Sequence, residues 1–356
     1  MDQQGNPGRL PYLDLLRVVA SYAVVLLHVV AWQVVTLPPS AGRGWWFVTV
    51  YDVGMRFCVP VFFMVSGALL LDPGRQVSLG EVFRKRLPKI GIPFLAWACL
   101  YYGIYLQRGG DPFVTGDFLR SIARAAGSPH MPPHLWFLPA LMGLYLATPF
   151  IKPFTDRAST RDLAAFVGLW LAMAILFPLL EYFFDVTVAI RNGLFNIHLG
   201  YFVLGTLLHR LPCPSGRNVA WILTPLLLVT WAIGIIGTYM MYAGPGTYYG
   251  GFLNKWQAPN VVLLSVCVFL IARCLGSAVL PRHGATARLV AWLGPLTFGI
   301  YLAHIVGILL VSPADALFGY LGNAVGMPLR ALAAFVVSVL VVVVLRRVPL
   351  LRATVP

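Results

Sequence analysis

The stretch LDLLRVVASYAVVLLHVV, residues 13–30, decides the fold. It lies in an apolar run over 12–37, and about 20 such residues in a helix cross a bilayer. Inside that run sit Asp14, Arg17 and His28. A charged side chain at mid-membrane costs roughly 2.5 to 3.5 kcal/mol on insertion scales, so an ionisable group kept within a span marks a site facing protein or water. A secretory signal peptide is the competing reading of an N-terminal apolar run. This one is longer than such a peptide's apolar region, opens with charges and contains His28, so it is read as a span that stays.

The remaining sequence has the same character. Of 356 residues, 59% are hydrophobic and 11% charged, with a mean hydropathy of +0.80, whereas a soluble domain carries about 25% charged residues. A soluble globule, a disordered chain and a collagen are all excluded. The apolar residues come in continuous runs without strand alternation, which excludes a membrane barrel. The fold class is therefore all-α, a polytopic membrane protein of about ten transmembrane helices. The spans lie near 12–37, 45–71, 88–107, 134–152, 161–181, 191–210, 219–243, 258–276, 287–312 and 328–347. The longest connections, 72–87 and 108–133, are too short to fold alone, so 1–356 reads as a single membrane domain. No internal repeat or lipidation box is evident, and the valine tract over 336–344 reads as a lipid-facing helix.

A formal charge of +14 would suggest nucleic acid in a soluble chain. With Arg17 and Arg56 set aside as intramembrane or nearly so, 17 cations fall on one set of connections and 7 on the other. That bias is expected to place both termini in the cytoplasm. The charge is thus largely a topology signal, and nucleic acid is not an expected partner. Of the 5 cysteines, Cys58, Cys99, Cys267 and Cys274 lie within or at the edge of apolar segments and Cys213 in a short basic loop. No disulfide framework is implied, and Cys267 and Cys274 are about 10 Å apart along one helix, too far to bridge.

Arg17 and His28 are eleven positions apart, which returns to within about 20° of one azimuth and about 16 Å further along the axis. Both are expected to face one cavity, with Ser21 and Val24 between them and Asp14 paired to Arg17. The alternative is that Arg17 snorkels to headgroups and His28 bonds a neighbouring helix. Arg56 opens the run VPVFFMVSGALLL at the outer side, as an acceptor-side residue or as an ion pair with Asp52. His304, deep in the ninth span, is a second candidate for proton transfer or for structural bonding. A zinc site on His130 and His134 is rejected, since Met-Pro-Pro breaks the spacing and a third ligand is not evident.

Several blocks together carry a resemblance. Arg17, ten intervening residues and His28 open the first span; RFCVPVFFMVSGALLL supplies Arg56, Pro60, Phe62, Phe63, Ser66 and Gly67. RKRLPKIGIPF starts at Arg84, HLWFLPALMGLYLATPF at His134, LGYFVLGTLL at Leu199, and FGIYLAH ends at His304. In this order, over nearly the whole chain, they resemble the membrane acyltransferase family 3. One departure is Ala68, where the family often has an aromatic residue. Another is the expected absence of a fused esterase-like domain after Pro356, which leaves a stand-alone acyltransferase.

The resemblance implies an integral-membrane O-acyltransferase that moves an acyl group, acetyl by family precedent, from acyl-CoA to a hydroxyl of a sugar, surface glycan or related small acceptor. His28 is then a general base or a transient acyl carrier, and Arg17 holds the phosphates of coenzyme A. Arg84, Arg86 and Lys89 extend a basic mouth, or simply anchor the inner face. Ser66 and Gly67 shape an acyl tunnel, or pack helices. Arg56, His134, Trp136 and His304 are the acceptor-side candidates, with Trp136 stacking on a sugar or anchoring in an aromatic belt. The expected partners are the bilayer, acyl-CoA and the acceptor, with no metal. A secondary transporter or flippase is the runner-up, weakened by the lack of paired repeats and by acids that lie near span ends. A non-enzymatic sensor would need a soluble domain to signal through.

Overall fold

The computed structural model describes residues 10–108, 134–186, 197–213, 216–243, 252–279 and 284–356, and the regular elements among them are helices. In a bilayer the backbone must satisfy its own hydrogen bonds, and a helix does so within one segment. The principal helices are α1 (Pro11–Thr36), α2 (Arg43–Met55), α3 (Cys58–Leu70), α4 (Leu87–Gln107), α5 (Phe137–Arg157), α6 (Thr160–Phe184) and α7 (Ile197–Arg210). They are followed by α8 (Gly216–Ala243), α9 (Pro259–Val279), α10 (Ala285–Leu293), α11 (Thr297–Val311), α12 (Asp315–Tyr320) and α13 (Gly322–Arg347). Among the described residues 9 helical segments are long and apolar enough to cross a membrane. Of the sixth expected span, near 191–210, residues Ile197–Arg210 form α7, and 191–196 lie outside the described residues. The chain is an all-α, multi-pass membrane protein.

Prolines set the ends and breaks. Pro38 pushes Leu37 to an extended backbone, φ −88° and ψ 119°, and α1 stops there. The expected second span is two helices. Pro60 has no N–H for the carbonyl of Arg56 and its ring crowds that carbonyl, so the helix breaks at Arg56 and Phe57. The ninth span is likewise assembled from α10 and α11, joined by the tight turn Gly294–Leu296 around Pro295.

Helix α1 is the hub. It packs against α2, α3, α9, α10, α11 and α13, and Leu16, Ala20, Val25 and Val30 are almost fully buried on it. Beside it α3 and α7 approach until their backbones touch. A Cβ built on Gly67 would stand 1.8 Å from the carbonyl oxygen of Phe202, and one on Gly205 would stand 2.0 Å from that of Met64. Small residues that let backbones meet are the means of helix association where lipid removes the hydrophobic drive.

The face that carries Arg17 also carries the end of the chain, since Arg17 and Pro356 line one cavity there. Several basic residues of this face bind helix-end carbonyls. Lys152 Nζ donates to Asp72 O and to Asp156 Oδ1, each at 2.8 Å. Arg210 donates to Thr155 O at 2.9 Å and Leu71 O at 3.2 Å, at the ends of α5 and α3. Arg273 closes the end of α7 through the carbonyls of Leu208 and Leu211. The same docking overturns the expectation that the cysteines stay unpaired: Cys213, just past α7, forms a disulfide with Cys274 on α9. Spacing along one helix could not show this, because the partner comes from another helix. Cys58, Cys99 and Cys267 are free thiols.

Gly67→Ala should cost about 3 kcal/mol, because the overlapping atom is backbone and cannot rotate away. Thermal unfolding in detergent should show a clear fall in midpoint, whereas Gly91→Ala, which meets nothing within 4 Å inside α4, should not lower it.

Candidate active site

Two polar cavities enter the described part of the bundle, beside a smaller apolar one at Leu15, Leu16 and Val19, and α1 contributes to each. Arg17 lines one polar cavity and His28 the other. The expected single cavity is therefore corrected: Ser21 and Val24, the residues between them on the stripe, are 1% and 3% exposed, and the space is divided. Phe137 of α5 and Tyr301 of α11 line both cavities and form the partition. Their rings are 5.2 Å apart, centroid to centroid.

The basic cavity, about 470 Å³, opens at the Arg17 end. Its wall holds Arg17, Arg75, Lys85, Arg86 and Lys89 against the single acid Glu81 among the described residues. Arg17 reaches back to the buried Asp14 at 3.3 Å, as the i,i+3 spacing predicts. Arg86 is tied to Glu81 at 2.8 Å. Lys85 and Arg86 belong to a π-helical turn, Val82–Arg86, that leads into α4, and local departures of this kind re-aim side chains. Arg84, in the same turn, is exposed and lies outside the wall. Ser66 lines the cavity, but its hydroxyl donates to Phe62 O at 2.8 Å and so offers only lone pairs to a ligand. Gly67 belongs to the contact with Phe202 and not to the wall. Ala68 is buried away from both cavities.

The histidine cavity, about 410 Å³, lies toward the other face. His28 and His134 are on its wall, with Trp136, Asp52 and Arg56. The break in the second span leaves Arg56 beside Asp52, which it grips with Nε at 3.2 Å and Nη2 at 2.8 Å; Nη1 donates to Asn254 O at 2.6 Å. Two chemical roles that the sequence left open thus coincide, ion pair and cavity wall. Trp136 faces Trp256 at 6.3 Å and a 37° tilt, and Tyr201 donates its hydroxyl to Trp256 O. Behind this wall is a cluster of imidazoles. The His304 ring lies 4.9 Å from His28 and 4.7 Å from His134, and His28 lies 5.9 Å from His134. Tyr301 donates its hydroxyl to the backbone carbonyl of His134. His304 is fully buried and is not on either wall. Among the described residues no group of three His, Cys, Asp or Glu is arranged to hold a metal ion. His130 lies outside the described residues.

A family model described as an acyltransferase domain matches residues 10–347. The chain belongs to membrane acyltransferase family 3. No curated protein and no solved structure matches the chain. As a member of family 3 it is an acyltransferase-type membrane protein, and the blocks that carried the resemblance meet in space. Arg17 and His28 come from the first, Arg56, Phe62 and Ser66 from the second, His134, Trp136 and Phe137 from the fourth span, and Tyr301 and His304 from the ninth. Gly200 and Gly205, in the block at Leu199, serve packing against Trp170 and Met64.

Sequence reasoning missed Arg75 and Lys85, which it counted only as orientation signal. It also missed Asn254, Lys255, Trp256 and Gln257, a connection whose one readable cue is its tryptophan, and the partition residues Phe137 and Tyr301.

The Arg56–Asp52 pair gives a stability test. Asp52→Ala leaves a largely buried guanidinium without its main partner and should cost about 3 kcal/mol, whereas Asp52→Leu with Arg56→Met should recover most of that. Unfolding midpoints of the two variants in the same detergent check it.

Proposed function

We propose that the protein is an O-acyltransferase of the cell's inner membrane that takes an acyl group, acetyl in the simplest case, from acyl-CoA in the basic cavity and delivers it to an acceptor hydroxyl in the histidine cavity. The observation that carries this is the pair of cavities of different chemistry separated by Phe137 and Tyr301, with His28 on the far side. The phosphates of coenzyme A match a wall of five cations, and a guanidinium such as that of Arg17 binds phosphate bidentately. The excess of cations on the Arg17 side orients that cavity and both termini to the cytoplasm, where acyl-CoA is made. Trp136 and Trp256 offer the apolar faces on which a sugar stacks, and Asn254 and Gln257 offer hydrogen bonds to its hydroxyls.

The step itself requires little. His28 takes the proton of the acceptor hydroxyl as its oxygen bonds to the thioester carbon, and the carbon–sulfur bond then breaks, with the thiolate recovering a proton. Phe137 and Tyr301 keep the two aqueous mouths apart, which limits loss of the acyl group to water.

Vesicles with labelled acetyl-CoA on the Arg17 side and envelope glycans on the other test this reading. Label should appear on the glycan. His28→Ala should lower the rate by about 10² or more, and Arg17→Ala should raise the KM for acetyl-CoA about tenfold at little cost to kcat. Movement of unmodified solute, or full activity without His28, would overturn the proposal.

A further inference from the structure

His304 is fully buried behind the wall of the histidine cavity. Its Nδ1 meets the carbonyl oxygen of Tyr301, one turn earlier in α11. A carbonyl only accepts, so Nδ1 carries the ring's proton and Nε2 is left as a lone pair. That Nε2 is buried and has no hydrogen-bond partner among the described residues. A buried acceptor left unpaired costs about 1 to 3 kcal/mol, and its retention calls for a reason. The ring in question stands 4.9 Å from that of His28, centroid to centroid.

We propose that His304 is the positioning residue for His28: its Nε2 lone pair accepts the N–H on the far side of the His28 imidazole and turns the other nitrogen of His28, as a lone pair, toward the acceptor hydroxyl. The proposal rests on the acyl-transfer reading above. In Ser-His-Asp sites a carboxylate holds the working histidine in its tautomer. Here the acid on the same wall, Asp52, is engaged by Arg56, and a neutral imidazole of fixed tautomer takes the place of the carboxylate. His134 is also near, but its ring is further from His28, at 5.9 Å. Both of its nitrogens are buried without a partner among the described residues, and its ring lies 4.7 Å from that of His304, so it competes with His28 for Nε2; of the two, His28 is the residue that the acyl-transfer reading makes the base.

The proton balance is simple. The hydroxyl proton moves to the cavity-facing nitrogen of His28, the hydroxyl oxygen forms its bond to the acyl carbon, and the carbon–sulfur bond breaks. The imidazolium keeps its far N–H directed at His304 Nε2 and returns the transferred proton to the departing thiolate. His304 keeps its own proton on Nδ1 throughout. Hydrogen bonds of this kind lengthen in an unliganded site and shorten in the reacting complex.

The test uses the purified full chain with acetyl-CoA and glycerol as the hydroxyl donor, following release of the CoA thiol. Wild type and His28→Ala are run first: equal release from both would overturn the acyl-transfer reading itself. With that difference in hand, His304→Leu should lower kcat about 100-fold while the KM for acetyl-CoA stays within about twofold. His304→Gln, whose amide oxygen can occupy the place of Nε2, should recover activity to within about tenfold of wild type. Should His304→Leu fail to fold, His304→Met replaces it as the variant without a good acceptor. Unchanged kcat in the acceptor-free variant, equal losses in it and in His304→Gln, or a raised KM in place of a lowered kcat would overturn the proposal.

Discussion

A guanidinium or an imidazole keeps its place in a bilayer only where protein, and not lipid, surrounds it. Much of the architecture follows from that constraint. The helix that carries Arg17 and His28 is the hub, walled by six others. Asp14 meets Arg17, and Asp52 with a backbone carbonyl meets Arg56. The close α3–α7 contact, backbone to backbone at Gly67 and Gly205, seals one side of this interior. A stripe that periodicity makes continuous is then divided by two aromatic rings, and the division turns one polar channel into two chambers of different chemistry.

Helix ends impose a second version of the same constraint. Each helix that finishes on the Arg17 face presents carbonyls without an intrahelical partner. Lys152, Arg210, Arg273 and Arg346 donate to backbone carbonyls there. The cations that bias insertion therefore also satisfy the backbone, and their charge suits the C-terminal ends of helix dipoles. Others of the same set, Arg75, Lys85 and Lys89, are left to face the basic cavity. One pool of positive charge thus both satisfies backbone carbonyls and lines the basic cavity.

Hydropathy made the spans legible, because each is a continuous apolar run. It could not show that the run over 45–71 breaks at Arg56, a consequence of Pro60 acting four residues back. Spacing put Arg17 and His28 on one azimuth, as the structure does, yet whether they share a space depends on Phe137 and Tyr301, which arrive from helices distant in sequence. The same limit applies to Cys213, whose partner Cys274 is 61 residues away. Ser66 and Gly67 were read together, but adjacent residues on a helix point about 100° apart, and one faces a cavity while the other faces Phe202. In the basic turn, which is π-helical, Lys85 and Arg86 stand on the cavity wall and Arg84 does not. Trp256 was passed over because a connection has no periodicity to read.

The proposed division of labour between the chambers can be tested directly. A structure of the protein in lipid nanodiscs with a thioether analogue of acetyl-CoA, which cannot transfer its acyl group, would locate the nucleotide and the acyl end together. The two-chamber arrangement predicts phosphate density against Arg17, Lys85 and Lys89, with the acyl end at Phe137 and Tyr301 facing His28. Nucleotide density in the chamber of Trp136 and Trp256, or an acyl end directed away from His28, would contradict it.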